Sequence, residues 1–220
     1  MTKRMKIDFV SDISCPWCVI GLRGLEKALE RTGDIVSAEL RFHPFELNPM
    51  MASEGESIAE HIQRKYGSTP EQSEAARAMI RERAAEVGFA MNSGSDSRIY
   101  NTFDAHRLLH WAGIEDPARQ QALKHRLFEI YFTEQRDPSD RDVLIAAARD
   151  AGLDPDRAGA ILASDSYAED VRAAEHHWQS HGVHSVPAIV INDRYLISGG
   201  QPPDAFEQAL RSIARELADA

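Results

Sequence analysis

The stretch Cys15-Pro16-Trp17-Cys18 contains both cysteines of this 220-residue chain. It follows the apolar run 7–10 and precedes a segment of helical periodicity, so we expect it at the junction of a strand and a helix. Two cysteines at this spacing can close a disulfide within one helical turn. The backbone N–H groups and the dipole of a helix N-terminus also lower the pKa of a thiol placed there. The spacing and position therefore favour a reactive pair over a structural disulfide.

A second feature lies far along the chain, at Val186-Pro187, directly before the apolar run 188–191. Proline has no N–H to donate to a sheet, so a proline that opens a buried strand needs a specific reason. A cis peptide bond that faces the two cysteines would supply such a reason.

Hydrophobic periodicity predicts the remaining elements. We expect strands near 6–12, 38–43, 188–192 and 195–198, a helix at 16–31, a helix after 165 and a C-terminal helix that carries Phe206 and Leu210 on one face. Between 56 and 180 no strand of any length is apparent, and helical stretches recur with prolines near their starts. The chain is therefore predicted to be α/β, with 1–49 and 165–220 forming one discontinuous domain and 50–164 a helical insertion.

Composition and charge exclude several classes of partner. The net charge is −10, yet residues 1–49 carry as many acidic as basic side chains, so the cysteines are spared the acidity that would disfavour a thiolate. No basic stripe with interleaved aromatics indicates a nucleic-acid partner, and no window approaches the ~20 apolar residues that span a membrane. The basic N-terminus is followed by a run too short and charged for a signal peptide, which predicts a cytoplasmic protein.

Four motifs, in the right order along nearly the whole chain, carry a family resemblance. They are Asp12-x-x-Cys15-Pro16-Trp17-Cys18, His43-Pro44-Phe45-x-Leu47-x-Pro49, Asn101-Thr102-Phe103-Asp104-Ala105-His106-Arg107-Leu108 and Val183-x-x-Val186-Pro187. With them the chain resembles the DsbA-type thiol–disulfide oxidoreductases, in particular their cytoplasmic FrnE-like branch. The resemblance implies a thioredoxin-like fold with a large all-helical insertion domain over the dithiol face. It also implies that Pro187 is cis.

Cys15 and Cys18 are the predicted catalytic pair, with Pro187 opposite them. We expect Cys15 to be the exposed cysteine that attacks a substrate disulfide, and the more buried Cys18 to resolve the mixed disulfide. Such a redox-active disulfide requires no further cofactor. A cis Pro187 would place no N–H beside the sulfurs and would leave the backbone of Val186 free to pair with an extended substrate.

Asp12, Pro16 and Trp17 are predicted to support the pair. Asp12 is either a buried proton relay for Cys18, with a raised pKa, or a helix-capping or solvated residue at the strand end. The indole of Trp17 has only a neutral N–H, whereas a histidine there could carry positive charge. We therefore expect a disulfide that is less oxidising than in periplasmic relatives with histidine at this position.

Candidate substrate-binding residues are Phe45, Phe103, His106 and His184. The resemblance places His106 in the helical lid near the groove. Phe45 and Phe103 could line that groove or could pack in the core, and His184 could reach the site or merely turn its loop. The expected substrates are proteins or small thiols and disulfides, and both a monomer and a homodimer remain open.

Three other interpretations of the cysteine pair and the groove are alternatives to an oxidoreductase: a metal site, a glutathione-dependent enzyme and a binding module. A structural metal site needs four ligands, and two cysteines with histidines outside an H-E-x-x-H frame do not predict one. A glutathione-dependent isomerase or transferase, resembling 2-hydroxychromene-2-carboxylate isomerase or the kappa class, would generally replace Cys15 by serine; glutathione stays a candidate co-substrate. A binding module or holdase chaperone would use the groove without redox chemistry.

Overall fold

The computed structural model describes residues 2–219. The strands of the main sheet lie near the two ends of the chain, and the segment between them is mainly helical. In chain order the elements are β1 (Lys3–Ser11), α1 (Pro16–Arg31), β2 (Val36–Pro44), β3 (Glu56–Ser57), α2 (Ile58–Tyr66), α3 (Pro70–Glu86), β4 (Arg98–Ile99), α4 (Phe103–Glu115), α5 (Pro117–Phe128), a π-helical turn (Glu129–Thr133), α6 (Arg141–Asp150), α7 (Pro155–Leu162), α8 (Ala168–Ser180), β5 (Ala188–Ile191), β6 (Tyr195–Ser198) and α9 (Pro203–Asp219).

A four-stranded sheet in the order β2-β1-β5-β6 forms the centre of the fold. β1 pairs in parallel with β2, and α1 makes the crossover between them, while β5 pairs antiparallel with both β1 and β6. The turn between β5 and β6 places Asn192 and Asp193 at positive φ, as a tight hairpin requires. The predicted α/β class and thioredoxin-like strand order are confirmed.

The central strand β1 is buried from Ile7 to Ser11, because both of its faces are covered. Neighbouring residues on a strand point to opposite faces. Phe9 accordingly belongs to the main core, whereas Val10 packs in a smaller cluster with Phe45 and Trp178. The carboxyl end of β1, which leads into the dithiol segment, is therefore buried in the interior of the molecule.

The segment between β2 and β5 is helical, as predicted, with one small exception. Pro70, Pro117 and Pro155 occupy the first turn of α3, α5 and α7, where a missing N–H has no cost. The exception is the pair of two-residue strands β3 and β4, which the sequence pattern did not predict because two residues show no periodicity. All strands of the four-stranded sheet lie within 1–49 and 165–220, and the exact domain bounds stay a prediction.

Within residues 2–219, no helix has both the length and the hydropathy needed to span a bilayer.

Candidate active site

The dithiol, Cys15 and Cys18, sits at the start of α1 as the sequence predicts. Cys15 is the N-cap residue with an extended backbone, Pro16 occupies the first turn, and the Cys18 N–H donates to the Cys15 carbonyl at 3.0 Å. Both residues are free thiols. The helix has no acidic residue in its first turn, so the partial positive charge of its N-terminus acts on Cys15 unopposed from there.

The structure corrects the expected exposure of Cys15. Its exposed fraction is only 4%, and that of Cys18 is 0%. Cys18 is the more buried of the two, as predicted, but Cys15 is not an exposed cysteine. The reason is tertiary: Cys15 belongs to the main core, against which Trp17 and Val186 also pack.

The segment around Pro187 faces the dithiol from the far end of the sequence. The Val186–Pro187 peptide bond is cis, in agreement with the resemblance. The Sγ atom of Cys15 lies 3.6 Å from the carbonyl oxygen of Val186, to which the thiol donates. The carbonyl of Pro187 in turn accepts from the N–H of Gly199 at 2.8 Å. Two sequence features 171 residues apart thus form one site.

A glycine contact holds the dithiol helix close to this segment. A Cβ atom on Gly21 of α1 would lie 3.1 Å from Cγ of Pro187 and 3.2 Å from Cα of Gly200. A Cβ on Gly200 would lie 2.6 Å from the carbonyl oxygen of Trp17. A side chain at Gly200 would clash with backbone, and one at Gly21 would push its neighbours by a few tenths of an ångström. This role of Gly21 and Gly200 was not predicted from sequence.

Asp12 is buried, with an exposed fraction of 1%, and its carboxylate ties three segments together. It accepts from the N–H of Leu47 at 2.7 Å and from the hydroxyl and N–H of Ser14 at 3.0 and 3.2 Å. The Nε2 atom of His106, on α4, lies 3.5 Å from its Oδ1. The bond to the Ser14 N–H is the local turn that Asp commonly makes before a helix.

The proton-relay alternative for Asp12 required a raised pKa, and the structure contradicts that requirement. Burial raises the pKa of this carboxyl, but the neighbouring His106 and the Leu47 N–H outweigh burial, so the pKa is lowered. An anion held this way is a poor proton donor near neutral pH. The hydrogen bonds of Asp12 to Ser14 and Leu47 hold the turn that leads into Cys15.

The four candidate substrate-binding residues are placed differently from one another. Phe45 is buried in the small cluster with Val10 and Trp178, and His106 is 2% exposed beside the Asp12 carboxylate. Neither lines an open groove, since distant side chains cover both. Phe103 is half-buried with the Arg172 guanidinium stacked 3.9 Å from its ring centroid, and His184 is exposed in the loop before Val186.

A buried carboxylate pair lies next to this region. Glu46 and Glu175 are each 6% exposed and share the single cation Arg172, which lies 2.8 Å from Glu175. Each carboxylate also has one buried oxygen without a hydrogen-bond partner in the described part of the chain. Burial raises the pKa of Glu175 and of Glu46, and for Glu46 the negative charge of Glu175 raises it further.

The raised pKa of Glu175 predicts that the free energy of unfolding depends on pH. Because the pKa of Glu175 is raised in the folded protein, the folded state keeps its proton to higher pH, and stability falls as pH rises from about 4.5 through the folded pKa. Glu175→Gln is expected to increase the free energy of unfolding at pH 7 and to flatten that decline. Urea unfolding between pH 4.5 and 7 measures both effects.

A matched control has the opposite sign. Arg64 and His61 lower the pKa of Glu56 to about 2, so its stabilisation is present above pH 4.5 and is lost as the pH falls. Glu56→Gln should therefore lower the free energy of unfolding by a constant amount above pH 4.5, without changing the slope between pH 4.5 and 7, and should flatten the decline on the acid side. A Glu175→Gln protein that is less stable than wild type at pH 7 would contradict the prediction.

No group of three or more His, Cys, Asp or Glu side chains in 2–219 is arranged to hold a metal ion. His177 and His181 stack with their ring centroids 4.3 Å apart, and Nδ1 of His181 faces the carbonyl of His177.

Sequence reasoning missed one residue that matters for the sulfurs. Lys124, on α5, is 1% exposed, and its charge acts on Cys18, Asp12 and Cys15. A signal was available: Lys124 stands between Leu123 and Leu127 on a face that helical periodicity assigns to the core. A lysine on such a face is unusual enough to notice.

Three comparisons with known proteins agree with this geometry. Residues 6–211 match the family described as DSBA-like thioredoxin domain. The structure of a probable DsbA oxidoreductase from Streptomyces coelicolor superposes with a TM-score of 0.86 at 35% identity, covering 94% of this chain and 89% of that one. The uncharacterized protein YwbO of Bacillus subtilis is 25% identical over 211 residues, 96% of each chain. The cytosolic disulfide reductase DsbM of Pseudomonas aeruginosa, solved with GSH, shares only the fold, with a TM-score of 0.63 at 15% identity and coverage of 96% and 99%.

Proposed function

The chain belongs to the DSBA-like thioredoxin domain family, and on that premise we propose that it is a thiol–disulfide oxidoreductase whose active site is Cys15-Pro16-Trp17-Cys18. One observation carries the proposal. Cys15 occupies the N-cap position of α1, and its thiol lies 3.6 Å from the Val186 carbonyl of the cis Val186–Pro187 segment. A reactive sulfur is thereby placed beside a backbone edge that can hold a substrate.

The proposed reaction has two exchange steps. The Cys15 thiolate attacks one sulfur of a substrate disulfide, forming a mixed disulfide and releasing the other substrate sulfur as a thiolate. The Cys18 thiolate then attacks Sγ of Cys15, and the second substrate sulfur leaves. Two electrons pass from the dithiol to the substrate, and the reverse sequence oxidises a substrate dithiol.

The surroundings of the dithiol suit this chemistry. Pro187 has no N–H that could compete for the sulfurs, and the half-buried Val186 offers backbone groups to an extended peptide. Asp12 and Ser14 hold the turn that leads into Cys15. We propose peptide disulfides as substrates on this basis, with glutathione as the alternative, and we retain the sequence-based expectation of a cytoplasmic location.

Trapping tests the proposal directly. Cys18→Ala should halt the reaction after the first step, so that substrates stay attached to Cys15 and can be identified after isolation from cells. The double variant Cys15→Ser with Cys18→Ala is the control, because it keeps the fold without a nucleophile. Attached polypeptides support the proposed function, and glutathione alone would favour the small-molecule interpretation.

A redox titration completes the test. Wild-type protein equilibrated with glutathione buffers should interconvert reversibly between the dithiol and the Cys15–Cys18 disulfide, measured by alkylation and mass. If the disulfide never forms at any buffer ratio and nothing is trapped on Cys15, the proposed function is wrong.

A further inference from the structure

The helical insertion contributes a fully buried lysine to the core. Lys124 on α5 is 1% exposed, and its neighbours Leu123, Leu127 and Phe128 are fully buried. Removing an ammonium group from water is costly unless other groups compensate for the lost hydration. The position of Lys124 therefore calls for compensating charges close by.

The compensating groups are those of the active site. The Nζ atom lies 4.8 Å from the centroid of the Phe128 ring, and Lys124 lines a nearly closed cavity together with His106 and Pro44. Burial lowers the pKa of Lys124 to about 8, and the negative charges of Cys18, Asp12 and Cys15 oppose that lowering. Its environment thus joins the end of β1, the start of α1 and the α4 helix.

Cys18 needs a cation more than Cys15 does. Burial raises its pKa well above the ordinary value, and the neighbouring Cys15 raises it further. Resolution nevertheless requires Cys18 as a thiolate. Lys124 is the side chain whose charge lowers the pKa of Cys18, whereas the Asp12 carboxylate is already engaged by Leu47 and Ser14.

We propose that Lys124 is a positioning residue that makes Cys18 competent to resolve mixed disulfides, by placing a positive charge beneath it. The inference rests on the proposed function and adds a role for the inserted domain in the second exchange step. Cys18 releases its proton to solution, and its thiolate, stabilised by the Lys124 ammonium, attacks Sγ of Cys15. The Cys15–Cys18 bond forms, the bond to the substrate sulfur breaks, and the substrate leaves as a thiolate.

A two-phase assay separates the two steps. Reduced protein mixed with dithiobis(nitrobenzoate) releases one coloured thiolate when Cys15 attacks and a second when Cys18 resolves. Lys124→Met removes the charge at similar volume and is expected to slow the second phase about tenfold at neutral pH, the change that one unit of pKa produces. The first phase should change much less.

The pH profile distinguishes this role from a structural one. The second phase of Lys124→Met should reach its half-maximal rate at higher pH than wild type and should approach the wild-type rate once Cys18 is fully ionised. Lys124→Arg, which keeps the charge, should restore much of the neutral-pH rate. Lys27→Met removes the same charge from a partly exposed lysine of α1 and should leave the profile unchanged.

The outcomes are decisive in either direction. Thermal unfolding establishes that the variants are folded, and Lys124→Gln serves as a second uncharged variant if the methionine variant is not. An unchanged second phase and pH profile in a folded uncharged variant would overturn the inference alone. If wild type itself releases no second thiolate, the proposed function fails and the inference with it.

Discussion

Cys15→Ser is expected to abolish disulfide exchange, with a loss of about a thousandfold or more in the rate of substrate reduction. A hydroxyl is a far weaker nucleophile than a thiolate near neutral pH, and an oxygen at this position cannot carry a disulfide intermediate. The side chains are nearly isosteric, so serine can occupy the same N-cap position of α1 and donate to the Val186 carbonyl. The measurement is the rate at which reduced protein reduces a disulfide substrate under single-turnover conditions.

Cys18→Ala provides the matched comparison. It should retain the first thiolate release, because Cys15 keeps its place at the helix N-terminus, and should lose the second release. A holdase or binding function would respond differently, since neither substitution should then reduce the binding of unfolded protein. Exchange activity that survives in Cys15→Ser would contradict the assignment of Cys15 as the attacking nucleophile.

Gly200→Ala is expected to destabilise the protein by about 2 kcal/mol, the order found when atoms are forced into a well-packed site. A Cβ atom there would lie 2.6 Å from the Trp17 carbonyl and 3.3 Å from the backbone nitrogen of Gly21, both backbone atoms of α1 that cannot rotate away. The helix must therefore shift relative to Pro187. At this chain length the melting temperature should fall by about 5 °C, measured calorimetrically.

The same substitution should disturb the chemistry as well as the stability. A shift of α1 changes the contact between Cys15 Sγ and the Val186 carbonyl, so the reduction potential should move along with the melting temperature. Gly159→Ala is the control, because a Cβ there would meet only Ile145 at an ordinary distance of 3.5 Å and should favour the α7 helix. If Gly200→Ala melts at the wild-type temperature with an unchanged potential, the close contact between Gly200 and α1 is not structurally important.

The errors of the sequence-based predictions have a common cause. Cys15 was expected to be exposed as the first cysteine of the pair, but Val186, 171 residues away in sequence, packs against the core to which Cys15 belongs. The proton-relay alternative for Asp12 assumed a raised pKa, which a buried carboxyl alone would have. The His106 side chain and the Leu47 N–H, 94 and 35 residues away in sequence, reverse that direction.

The chain's local patterns were sufficient to predict its elements. A short apolar run indicated β1, period-two alternation indicated β2, helical periodicity indicated α1, and the turn at Asn192 and Asp193 indicated the β5–β6 hairpin. These signals depend on neighbouring residues, so one sequence suffices to read them. The spacing of the two cysteines likewise predicted a reactive pair at a helix start.

Tertiary structure decided how that pair is surrounded. Only the folded chain brings Val186 to Cys15, seats Gly200 against Trp17 and buries Lys124 in a cavity that His106 also lines. The thiolate of a buried cysteine responds to every charge and dipole within a few ångströms, whatever its distance along the chain. The chemical identity of the site is therefore local in the sequence, whereas its electrostatic tuning belongs to the three-dimensional arrangement.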